Sequence, residues 1–94
     1  MGATGTATVA FGATPTVEGS IAVTGQGAIL TTSLAEAWVM GDSTATNNEQ
    51  DHIQAGTLLR CTCNIPTAGV GFTIFCDAIG GLITGDLKVK WVWN

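Results

Sequence analysis

The stretch Asp86-Leu87-Lys88-Val89-Lys90-Trp91-Val92-Trp93 decides the reading of the fold. Leu87, Val89, Trp91 and Trp93 alternate with Asp86, Lys88, Lys90 and Val92, a period of two that gathers one apolar row on a single strand face. Upstream, residues 71–77 repeat the device, with Phe72, Ile74 and Cys76 on one parity and Thr73, Phe75 and Asp77 on the other. Pro66-Thr67-Ala68-Gly69 makes a turn before it. Residues 57–65 set Leu59, Cys61, Cys63 and Ile65 against Leu58, Arg60, Thr62 and Asn64.

The same pattern continues toward the N-terminus. Residues 6–11 place Ala7, Val9 and Phe11 on one face, and residues 18–24 set Ile21 and Val23 against Ser20, Ala22 and Thr24. Gly25-Gln26-Gly27 reads as a turn and residues 28–32 as a further strand. Between residues 34 and 40, Leu34, Glu36, Trp38 and Met40 oppose Ala35, Ala37 and Val39; seven residues ending at Gly41 are short for a helix, so this too reads as a strand. Residues 42–56, with Asn47-Asn48-Glu49-Gln50-Asp51, form one long polar loop with room for a helical turn. The expected fold is all-β: a small antiparallel β-sandwich of about seven short strands joined by glycine turns, one domain over residues 1–94. Residues 1–8 read as an extended N-terminal arm able to add to a neighbour's sheet edge.

Composition narrows the function. Charged residues make up 11% of the 94, against roughly 25% in typical soluble domains. A folded chain with so few charges is expected to hide surface against other subunits. Three basic and seven acidic residues give a formal net charge of -4, which phosphate backbones repel, so no nucleic-acid partner is expected. The most apolar window, residues 70–84, is interrupted by Asp77 and rich in glycine, and no basic segment leads into an apolar one at the N-terminus. Neither a membrane span nor a secretory signal is expected.

Individual residues offer chemistry that must be weighed against plain packing. Cys61 and Cys63 share a strand face, too far apart and too parallel to bridge each other easily, so Cys76 is the better partner for a disulfide. The odd third thiol then either packs inertly or cross-links a neighbouring subunit. A zinc site from Cys61, Cys63, Cys76 and His52 lacks the usual paired spacing. His52, the only histidine, could be drawn into a Ser-His-Asp site with Asp51 and Ser43, but no nucleophile elbow or oxyanion motif accompanies it. A loop histidine in solvent, or one that caps a turn, is the plainer reading, with a pH-sensitive interface contact as a further alternative. Glu36 shares its parity with Leu34, Trp38 and Met40, as a buried carboxylate paired with Arg60 or a lysine, or as part of a subunit boundary. Gly69-Val70-Gly71 and Gly80-Gly81 are turns, without the helix and lysine of a phosphate loop. Trp38, Trp91 and Trp93 serve either a core or an interface. The candidate interface set is Val9, Phe11, Glu36, Trp38, His52, Trp91 and Trp93; no catalytic residue, cofactor, metal or small-molecule substrate is expected.

The order Val23-Thr24-Gly25-Gln26, Glu36-Ala37-Trp38-Val39-Met40, Asp51-His52, Ala68-Gly69-Val70-Gly71-Phe72-Thr73-Ile74 and Thr84-Gly85-Asp86-Leu87-Lys88-Val89-Lys90-Trp91-Val92-Trp93 resembles small virion proteins of tailed bacteriophages. The resemblance runs from about Val9 to the C-terminus and leaves Cys61, Cys63 and Cys76 outside its pattern. It implies assembly in the host cytoplasm, residence in the virion, and a capsid decoration or cement role. Such a protein forms homo-oligomers, a trimer being favoured, and binds the major capsid protein between capsomers. The alternative it implies is a tail or fibre component, with residues 42–56 as the receptor- or baseplate-facing surface.

Overall fold

A computed structural model describes residues 2–94, and Met1 lies outside the described residues. The chain runs β1 (Ala3–Ala10), β2 (Glu18–Val23), β3 (Ala35–Val39), α1 (Glu49–Leu58), β4 (Leu59–Cys63), β5 (Phe72–Ala78) and β6 (Asp86–Trp93). Two three-stranded antiparallel sheets form, in the orders β1-β6-β3 and β2-β5-β4. The sheets approach most closely at their edges, β1 against β2 and β3 against β4. The fold is all-β, a small β-sandwich, as the alternation requires.

The strand that decides the reading also occupies the central position. β6 pairs with β1 from Ala3↔Trp93 to Ala10↔Asp86 and with β3 from Ala35↔Trp93 to Val39↔Val89. Its Leu87, Val89, Trp91 and Trp93 are buried, and Trp91 meets Phe72 of β5 edge to face at 5.6 Å, tying the two sheets together. Trp93 donates its indole N–H to Gln26 Oε1 at 3.0 Å, so its one polar atom is satisfied. Gly5 sits opposite Trp91, where a Cβ would come within 2.4 Å of the indole ring; glycine lets the ring lie across β1.

Three expectations are corrected. Residues 28–32 are not a strand: Ile29 N–H bonds to Gln26 O and Ser33 N–H to Leu30 O, so two turns follow one another and only Ile29 is buried. This segment carries the chain from one sheet to the other, and no strand lies beside it to pair with. Among the described residues there are therefore six strands. The long polar loop of residues 42–56 holds the ten-residue helix α1, which extends through Thr57 and Leu58 and delays the next strand to Leu59. Asn48 caps it, its side chain accepting Asp51 N–H at 2.8 Å while Asp51 accepts Asn48 N–H at 2.9 Å, with Glu49 and Asp51 favourably placed in the first turn. The expected N-terminal arm is, from Ala3 onward, an edge strand paired along its whole length with β6 of the same chain.

Candidate functional site

The helix exists to bring His52 to β6. Leu34 and Asn94 exchange backbone bonds in both directions, so the even-numbered residues of β6 direct their amides toward β3. β3 stops at Val39, opposite Val89, and beyond that point Lys88 and Asp86 lack a strand partner on this side. Side chains take its place. Lys88 N–H donates to His52 Nε2 at 2.9 Å, and Asp86 N–H donates to Thr46 Oγ1 at 2.8 Å. Thr44 Oγ1 and Asn47 Nδ2 both donate to Asp86 O, each at 2.9 Å.

This arrangement defines the state of His52. Nε2 accepts a backbone N–H and must carry a lone pair, so the proton resides on Nδ1, which donates to Asn48 O at 2.9 Å. The ring is neutral, both nitrogens are engaged by backbone, and the residue is 0% exposed. Neither a loop histidine in solvent nor an interface contact describes it. The drawn Ser-His-Asp set is not assembled, because Asp51 caps the helix and Ser43 is exposed, its N–H bonded to Asp42 Oδ1. Nor can His52 join the cysteines around a metal with both nitrogens occupied; among the described residues no group of three or more potential ligands is placed to hold one.

Four other members of the candidate interface set are core residues. Val9, Phe11, Trp91 and Trp93 are buried between the sheets, none more than 7% exposed. Glu36 and Trp38 lie on the outer face of the β1-β6-β3 sheet, Trp38 being 40% exposed beside Met40, Thr6 and Lys90. Glu36 is exposed, not a buried partner of Arg60, which lies opposite Asp77 on the other sheet. The lysines turn instead to Asp42, with Lys90 Nζ at 3.2 Å and Lys88 Nζ at 3.7 Å. Asp42 is held below the ordinary carboxylate range, first by the Ser43 N–H and then by Lys90.

The three thiols face the space between the sheets. Cys61 and Cys76 are directly opposite on β4 and β5, with sulfurs 3.2 Å apart, and all three cysteines are free. Hydrogen bonding from the Cys76 thiol lowers the pKa of Cys61; the same bond, with burial, pushes Cys76 far up. Cys63 rises to about 11 through burial, with the charges of Cys61 and Glu36 adding to it.

Apolar side chains remain uncovered elsewhere. Among the described residues eleven large ones are exposed, more than the three basic and seven acidic residues together. Leu34 and Ile65, 77% and 74% exposed, share the wall of a shallow cavity of about 270 Å³ at one end of the sandwich. Val17, Ile79 and Leu82 are exposed near the opposite ends of β2 and β5. The alternation did not place this surface, since Leu34, Ile65 and Leu82 lie outside the strands. No protein-family model, curated protein or solved structure matches the chain.

Proposed function

We propose that this chain is a non-enzymatic structural subunit, a capsid decoration protein of a tailed bacteriophage that binds between capsomers and stabilises the head. The exposed apolar side chains carry the proposal: on a domain with so few charges, they are surface that another protein would cover. The residues with catalytic potential support it from the other side, since His52 is held by two backbone bonds and Asp51 is a helix cap. The phage setting rests on the sequence resemblance, as do the trimer and the major capsid protein as partner. A tail or fibre role through residues 42–56 gains less support, because Thr44, Asn47 and His52 are engaged by β6.

Self-association has a backbone route as well. Thr4, Thr6, Thr8 and Ala10 direct their amides away from β6, and β1 has no strand paired on that side. β1 itself carries no charged residue or proline, and the one charge that reaches it among the described residues is the Lys90 ammonium, 3.2 Å from Thr6 Oγ1. Sedimentation velocity over a concentration series tests the self-associating part of the proposal. A reversible species larger than a monomer is expected, a trimer by preference, and it should weaken in a Leu34→Glu/Ile65→Glu variant with an unchanged circular dichroism spectrum. A monomer at every concentration would contradict it.

A further inference from the structure

We infer that Cys61 and Cys76 form a dithiol site that a low-molecular-weight disulfide oxidises to a cross-strand disulfide within one chain, with Cys61 as the attacking sulfur and Cys76 as the resolving one. Register is the first support. Ile79 N–H bonds to Leu58 O and Asn64 N–H to Thr73 O, so the odd-numbered residues of β5 direct their amides toward β4. Cys76 therefore bonds toward β2, and Cys61↔Cys76 is a non-hydrogen-bonded pair of the β4–β5 ladder. In such pairs the Cα atoms are about 4.5 Å apart and the side chains approach closely, inside the span a disulfide bridges. The sulfurs already lie 3.2 Å apart, and closing the bond brings them to about 2.0 Å.

Access sets the order of events. Cys61 is half-buried on the edge strand β4, whereas Cys76 is 0% exposed on the central strand β5. A reagent in solution reaches Cys61 first. A hydrogen bond across the 3.2 Å contact from the Cys76 thiol favours the thiolate at Cys61, and the thiolate is the form that attacks. Cys61 thiolate attacks one sulfur of the reagent disulfide and expels the first thiolate, leaving a mixed disulfide on Cys61. Cys76 then attacks the Cys61 sulfur and expels the second thiolate, its proton passing to that leaving group. Two protein thiols lose two electrons and two protons, and one reagent disulfide becomes two thiols. Cys63 lies opposite Ile74, not opposite a cysteine, and stays reduced.

The test is oxidation of the purified chain with glutathione disulfide, read by intact mass, alkylation of remaining thiols and peptide mapping. The wild-type chain should lose the mass of two hydrogens, retain one alkylatable thiol and yield a Cys61–Cys76 cross-linked peptide; Cys63→Ala should do the same with none left. Cys76→Ala should stop at a glutathione adduct on Cys61. Cys61→Ala should leave Cys76 unmodified for as long as its circular dichroism remains that of the wild type. A cross-link containing Cys63 would overturn the inference. So would a stable adduct on the wild-type chain, an adduct on Cys76 in folded Cys61→Ala, or three free thiols after wild-type oxidation.

Discussion

His52 replaces a missing stretch of strand with one imidazole. Its Nε2 satisfies Lys88 N–H where β3 has ended, and its Nδ1–H returns to the first turn of its own helix. Removing it in His52→Ala leaves a buried N–H without a partner and opens a void, so unfolding free energy in urea should fall by about 2–4 kcal/mol. A change below about 0.5 kcal/mol would mean that water serves equally well. Gly71 is a second position where one residue governs the backbone. At φ +156, a Cβ there would come within 1.8 Å of Val23 O, so Gly71→Ala should cost at least roughly 1–3 kcal/mol by the same measurement. Asp42 acts through its ionised carboxylate, which accepts the Ser43 N–H and then meets Lys90. Its lowered pKa gives stability that is present above the ordinary carboxylate value and lost as pH falls through the lowered one. Asp42→Asn should therefore narrow the stability difference between neutral and strongly acidic pH. Neither the burial of His52 nor the outward placement of Glu36 was legible in the sequence, because both depend on where β3 stops and which face the core takes.

At the scale of elements, strands with one buried and one exposed face declared themselves, β6 above all, because a period of two survives wherever the two faces differ. α1 did not. It buries only His52 and Ala55, too narrow a stripe to produce a helical rhythm, and its one clear signal was the capping pair Asn48 and Asp51. Asn48→Ala should cost about 1 kcal/mol and, by releasing the helix that holds His52, speed amide exchange at Lys88 more than at Val89. Uniform acceleration along β6 would separate the cap from the imidazole contact. The false strand at residues 28–32 has the opposite origin: alternation over a few residues carries no information about whether a partner strand is within reach. In the β4–β5 ladder, closing Cys61 to Cys76 would join residues 15 apart and stabilise the fold by roughly 3 kcal/mol through loss of unfolded-state entropy. Oxidised protein should then melt more than about 10 °C above the reduced form, and equal midpoints would show that strain cancels the gain.

For the whole molecule, most contacts join residues far apart in sequence, and only β4 and β5 are both consecutive and paired. Core and surface are consequently properties of the finished fold. Trp91 and Trp93, which the sequence left between interface and core, and Val9 and Phe11, expected at an interface, are needed inside. The surface left for a partner consists of residues in turns and on outer faces, such as Leu34, Ile65 and Trp38, which alternation alone ranks no higher than others. Composition led to the expectation that a chain with so few charges hides surface against other subunits, and the exposed apolar side chains are where such a contact would form. The proposed role follows from that surface and from the resemblance to virion proteins, so it is tested most directly on particles. On the proposed role, purified tailed-phage virions whose genome carries this sequence contain the chain in fixed stoichiometry with the major capsid protein, as read by quantitative mass spectrometry. Its absence from the particles, or a copy number that fits only the tail, would contradict the decoration role.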